Sequence, residues 1–238
     1  MRTSLKFLCG AAAALAAASV LAQKAGDNYL GVGVAAIRPD ASLGRLSSSG
    51  ANAAAFDAAT AGASADVSHE ATVSVGWLHL FTDNVGAEFT IGVPPRHDID
   101  LATPSPFAGA PSHPGAATVR TWTPAAVAKY FFNVPGARWR PYLGLGVSRV
   151  SFHSVEINRG DPLVVQVGGA GASLRSDWTP VYNAGVVYRI DDRWMVNASV
   201  SYLPIRTTVN LVGAGGTTTS GPLKLDTTDV VVRVGYRF

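Results

Sequence analysis

Residues 226–238 read DTTDVVVRVGYRF, and the facing of this one stretch decides the fold. Val230, Val232, Val234, Tyr236 and Phe238 recur at every second position, with Asp229, Arg233, Gly235 and Arg237 between them. In a β-strand a period of two puts the five apolar side chains on one face and the charges on the other. A soluble sheet would bury the valines and leave both arginines in water. A membrane barrel would do the reverse, with valines toward lipid and arginines toward the interior.

The same alternation recurs upstream. NYLGVGVAAIRP (28–39) sets Leu30, Val32, Val34 and Ala36 against Gly31, Gly33 and Ala35; ATVSVGWLHLF (71–81) sets Val73, Val75, Trp77 and His79 against Ser74, Gly76 and Leu78. VGAEFTIGV (85–93), VRTWTPAAVAKYFF (119–132), RPYLGLGVSRVSF (140–152), DWTPVYNAGVVYRI (177–190) and RWMVNASVSYL (193–203) follow the rule. With 226–238 the spacing predicts eight strands, each as long as the roughly 9–11 residues that cross a bilayer at a steep tilt. An all-β, eight-stranded antiparallel transmembrane barrel is the expected fold.

Connection lengths separate the two readings of facing. FTDNVG (81–86), NVPGAR (133–138) and DDR (191–193) are short and built from turn residues, whereas 40–70, 94–117, 156–176 and 211–223 are long. Three short turns at one end and four long outer loops at the other is the asymmetry of an outer-membrane barrel. Trp77, Phe81, Tyr130, Phe131, Tyr142, Tyr188, Trp194, Tyr236 and Phe238 cluster toward the short-turn end, where they would form an interfacial girdle. The valines of 226–238 are therefore expected to face lipid. Arg233 and Arg237 then point inward, with Lys129, Arg189, Glu88 and Asp229 completing an interior charge network. In so narrow a barrel that network is expected to be structural rather than a selectivity filter.

Composition agrees. Arg2 and Lys6 precede the apolar run 7–20, and Val20, Leu21 and Ala22 stand before Gln23, so residues 1–22 are expected to be a cleaved secretory signal and 23–238 the barrel. Removing Arg2 and Lys6 from 19 basic residues leaves 17 against 16 acidic ones, a net charge of about +1 that argues against a nucleic-acid partner. Cys9, the single cysteine, lies within the leader; the remainder can form no disulfide, thiolate metal site or cysteine nucleophile.

Several stretches resemble the OmpW family of small outer-membrane proteins: GVGVAAIRPD, FTDNVGAEFTIGVPPRHDI, YFFNVPGARWRPYLGLGV, DDRWMVNASVSYL and VGYRF, in that order. The resemblance spans nearly all of 23–238. It implies a narrow, partly apolar channel that passes or binds small hydrophobic molecules. It also implies lumen residues at Thr90, where the family has leucine, and at Trp178, where the tryptophan is kept. Pro180 can mark a bulge that shifts the facing of Trp178 by one residue. Val230, Val232, Val234, Tyr236 and Phe238 are similar to the carboxy-terminal signal read by the barrel insertion machinery. The expected partners are accordingly outer-membrane lipids, that machinery and small hydrophobic molecules.

Other candidates have plainer readings. His97, Asp98 and Asp100, with His113 in the same connection, lack a nucleophile at a recognisable spacing; no catalytic residue, metal or cofactor is expected. The Ala- and Ser-rich stretch 47–66 is read as a mobile loop in preference to a helical plug, because its residues bury too little area to offset chain entropy. VQVGGAGAS (165–173) is read the same way. Arg149, on the lipid parity near the outer end, is expected to snorkel toward head groups. Inward positions assigned to the outer half, Leu78, Ser74, Thr90, Gly92, Thr123, Val150 and Trp178, are more apolar than Glu88, Lys129, Arg233 and Arg237 below. The function this grading supports is passive passage or binding of hydrophobic or amphipathic molecules. The alternative is a closed barrel that displays its loops as a receptor or adhesin.

Overall fold

The computed structural model describes residues 23–238; the expected leader, 1–22, lies outside the described residues. In chain order the elements are β1 (Asn28–Leu43), β2 (Ser47–Ser49), α1 (Ala53–Ala59), β3 (Ser64–Val67), β4 (Glu70–Leu80), β5 (Val85–Gly92), β6 (Arg96–Ala102) and β7 (Ser112–Trp122). They continue with β8 (Ala125–Phe131), β9 (Trp139–Ile157), α2 (Pro162–Gly168), β10 (Gly171–Leu174), β11 (Asp177–Arg189), β12 (Trp194–Val212) and β13 (Thr218–Arg237). β1, β4, β5, β8, β9, β11, β12 and β13 pair antiparallel in that order, and β13 returns to pair with β1, so the sheet closes on itself. Closure leaves the barrel no unpaired edge strand.

Facing follows the period of two. Val32, Val34, Val73, Leu143, Leu145, Val147, Val200, Val232 and Val234 stand on the outer wall, and Val34 is 61% exposed. A band of bare valine and leucine around a closed sheet suits lipid and not water. Arg233, one residue from two of those valines, is only 5% exposed. At the short-turn end the outer aromatics meet in pairs: Trp194 with Tyr236 at 4.9 Å, Trp139 with Tyr188 at 4.5 Å and Tyr130 with Phe132 at 5.2 Å between ring centres. Phe131 and Tyr142 do not join them. Each has the inward parity of its strand; they sit opposite each other in the β8–β9 ladder and their rings meet inside, 5.1 Å apart.

The outer connections are folded. β12 and β13 stay paired up to Val212 and Thr218, so the connection expected at 211–223 shrinks to a tight turn on a long hairpin. The 94–117 connection becomes the β6–β7 hairpin, and Pro124, which has no amide hydrogen, divides the strand expected at 119–132 into β7 and β8. The mobile-loop reading of 47–66 is corrected. Phe56 is 1% exposed and packs with Ala59, Ala108, Leu163 and Val167, and the Ser48 amide donates to the Asp57 carboxylate at 2.7 Å. One aromatic anchor supplies the burial that the alanines lack. The reading of 165–173 changes as well: Asp161 caps α2 by accepting from the Val164 amide at 3.1 Å, Pro162 fits its first turn, and β10 pairs with β12.

Candidate functional site

The lumen is built in tiers, each set by the inward residues at one height of the ring. At the inner end Tyr29, Leu78, Leu80, Phe131, Tyr142, Val187 and Met195 pack into an apolar floor. Arg140, 1% exposed, is buried at this end: Nη1 donates to Gln23 Oε1 at 3.0 Å, Nη2 donates to the Asp83 carbonyl at 2.6 Å, and the guanidinium lies 5.2 Å from the centre of the Phe131 ring.

Above the floor lies a charge layer. Glu88 takes Lys129 on Oε2 and Arg233 on Oε1, both at 2.7 Å, while the Thr90 hydroxyl donates to Oε1 at 2.9 Å. Arg233 also donates through Nε and Nη2 to Ser74 Oγ, at 3.1 and 2.8 Å. Lys129 donates to the Tyr142 hydroxyl, 3.2 Å away, and that hydroxyl donates to Asn197 Oδ1 at 3.1 Å. Gly76 makes the crossing possible, since a Cβ there would lie 2.9 Å from Arg233 Nη1.

Of the six expected network members, Glu88, Lys129 and Arg233 come together and the other three do not. Arg237 binds Asp27 at 3.4 Å on the inner rim, and Arg189, at the end of β11, donates to the Gly136 carbonyl of the β8–β9 turn at 2.8 Å. Asp229 sits four residues from Arg233 along β13, about 13 Å at strand rise, too far to join the layer.

Over the charge layer opens a chamber of about 80 Å³ whose wall includes Ser74, Thr90, Asn183, Ser199, Ser201 and Asp229. A collar follows, where Leu203, Ile205, Leu223 and Leu225, packed with Val150 and Val181, line a cavity of about 50 Å³. Uppermost is an apolar cavity of about 110 Å³, bounded by Leu43, Leu101, Ile157 and Leu211 and by Leu163 and Val167 of α2. One water needs roughly 10–15 Å³, so each space admits more than a solvent molecule. The three are stacked: Leu203 and Asp229 line both chamber and collar, and Ile99, Leu174 and Leu223 line both collar and apical cavity.

Two candidate lumen residues lie elsewhere than expected. Leu78 faces inward but belongs to the floor, because β4 runs downward and ends two residues later at the short turn. Trp178 is 63% exposed on the outer wall. No bulge shifts it, since the β9–β11 ladder is unbroken from Asp177 to Tyr188, and its ring meets the guanidinium of the outward Arg149 at 5.7 Å. Thr90 points inward, as expected. Val230, Val232, Val234, Tyr236 and Phe238 share the outer face of β13, with the Phe238 amide donating to the Asn28 carbonyl at 3.1 Å. Sequence reasoning missed Arg140, Tyr142, Asn183 and Asn197, although their parity alone places all four inside.

The ring is continuous but one seam is open. The β5–β8 ladder ends at Thr90 and Ala125, and the next backbone bond across the seam is from the Thr121 amide to the Pro95 carbonyl at 3.2 Å. Between them, among the described residues, 91–94 and 122–124 face each other without ladder bonds. Val93 is held instead by Val73 of β4, and the Pro124 carbonyl accepts from Arg149 of β9. Gly92 and Thr123 line both this seam and the chamber.

The outer histidines have structural partners. His97 Nδ1 lies 3.0 Å from the Ser68 carbonyl; His113 places Nδ1 2.7 Å from Asp161 Oδ2 and Nε2 3.0 Å from Thr103 Oγ1, whose hydroxyl donates to the Ala110 carbonyl. Burial opposes ionisation of Asp161, but the His113 bond and the amides at the start of α2 outweigh it and hold the carboxyl below its ordinary value.

Comparison with known proteins agrees with this architecture. The model of the OmpW family matches residues 24–238. Outer membrane protein W of Salmonella typhi is 28% identical over 228 residues, covering 94% of each chain. The crystal structure of OprG from Pseudomonas aeruginosa superposes with a TM-score of 0.78 at 22% identity, over 92% of this chain and 98% of that one. The solution structure of the E. coli outer membrane protein W gives 0.55 at 27% identity, over 90% and 99%. The chain thus belongs to the OmpW family, non-enzymatic β-barrel proteins of the Gram-negative outer membrane.

Proposed function

We propose that the barrel gives small hydrophobic or amphipathic molecules a passive route from the cell surface into the membrane, entering through the apical cavity and leaving sideways. The observation that carries this reading is a stack of spaces under the outer tier that ends on a packed floor while an unladdered seam opens beside it. An alkyl chain gains about 0.8 kcal/mol per CH₂ moved from water to apolar surface, whereas an ion loses several kcal/mol there. The collar therefore admits the first and resists the second. Below it, the Glu88 layer and the floor deny an axial exit.

Leu203, 4% exposed in the collar, offers the test. With Leu203→Asp, uptake of an alkane-like fluorophore by cells or barrel-bearing vesicles should fall about tenfold or more, as an unpaired buried carboxylate replaces apolar wall. Undiminished uptake with a correctly folded variant would move the assignment to surface display by the folded outer tier.

A further inference from the structure

The chamber above the charge layer holds two acceptors without donors. Asp229 Oδ1 and Asn183 Oδ1 are both shut from solvent, and neither accepts a hydrogen bond from any described residue. Asn183 is 8% exposed, and its amide nitrogen is already committed to the Val200 carbonyl at 3.1 Å and Ser201 Oγ at 2.9 Å, so its oxygen is the atom left over. Both residues line the same chamber, and Asp229 also reaches the collar. An unmet buried acceptor is costly, and two on one cavity call for a ligand that donates. Neither cation of the charge layer reaches Asp229: Lys129 and Arg233 are both held on Glu88, and Asp229 has no ion-pair partner within 4 Å among the described residues.

We propose that Asp229 and Asn183 are the head-group site for a protonated amine, so that the lumen favours amphipathic alkylamines, ammonium in the chamber and chain in the apolar collar. This rests on the passage reading above and adds head-group selection to it. An ammonium brings three donors and no acceptor, which suits two orphan acceptors better than a hydroxyl and excludes a carboxylate.

The test is equilibrium dialysis of the folded barrel in zwitterionic nanodiscs against labelled n-octylamine, n-octanol and n-octanoate, with empty nanodiscs subtracted. Octylamine should bind at least tenfold more tightly than octanol, and octanoate least. Asp229→Asn should bring octylamine to the octanol level and leave octanol unchanged. Asn183→Leu should weaken octylamine several-fold. Heat-modifiable migration confirms folding of each variant, and if one fails to fold the other carries the test. Equal binding of the three ligands, a preference for octanoate, or octylamine binding that ignores both substitutions would overturn the proposal. The passage reading is judged separately by octanol: if only octylamine binds, head-group selection stands and the general apolar route falls.

Discussion

Glu88 carries two cations on one carboxylate, and all three side chains are nearly shut from solvent. Removing one partner of a buried pair leaves charge without compensation, which costs about 3–5 kcal/mol. Glu88→Ala should therefore lower the unfolding free energy of the barrel by about that much in urea titrations from lipid vesicles. A loss under about 1 kcal/mol, the scale of a solvated surface pair, would mean that water already reaches Lys129 and Arg233. For Phe238 the proposed role is in assembly. It ends the outward row of β13 and has no place in the lumen, so its deletion should lower the inserted, heat-modifiable fraction in membranes, while unchanged insertion would sink an assembly role. Most facings at this scale were legible in the sequence, because a period of two admits only two answers per strand. Depth was not legible: Leu78 and Ser74 share a face of β4, yet Leu78 lies in the floor and Ser74 holds Arg233. Partnering was equally hidden, since alternation places Glu88, Lys129 and Arg233 inside without saying that strand register brings all three to one height.

The two short helices are elements that the sequence concealed for a physical reason. A seven-residue helix is marginal alone, and its stability comes from packing that no local pattern records. For α1 that packing is Phe56 against Leu163 and Val167 of α2, two segments distant in sequence. Phe56→Ala deletes the shared anchor, and truncations of this kind cost about 3–5 kcal/mol. Limited proteolysis should then cut within 53–60 in the variant and spare the native chain; equal resistance would show that α1 is held by its polar ties alone. The His113–Asp161 contact pins β7 to the cap of α2 and should yield to acid. The folded Asp161 carboxyl lies below its ordinary value of 3.8, so its contribution is complete above 3.8 and is lost as pH falls through the depressed folded value. Hydrogen exchange at α2 should accelerate over that acidic window, and Asp161→Asn should be fast at every pH. Acceleration that persists in the Asn variant would assign the effect to other carboxylates.

For the whole molecule the proposed passage turns on which way a solute would leave, and the tiers set different barriers for ions and for apolar molecules. An axial route must cross the Glu88 layer and a floor in which Tyr142 is 2% exposed; a lateral route needs only the seam between 91–94 and 122–124. Two variants separate them. Tyr142→Ala removes a ring from the floor together with the hydroxyl that bridges Lys129 and Asn197, so ionic conductance across a planar bilayer should rise from a low native level. On the proposed lateral route apolar uptake should stay as it was, because that exit lies above the floor. Thr123→Cys places the one thiol of residues 23–238 at the seam, and coupling a bulky maleimide there should stop apolar uptake and leave conductance low. Uptake that rises with Tyr142→Ala and survives the label at residue 123 would establish an axial pore and remove the lateral exit. If conductance is insensitive to Tyr142→Ala, the charge layer by itself must be the barrier to ions. That result is coherent with the geometry, since moving an ion past Lys129 and Arg233 would require both to leave the carboxylate that holds them.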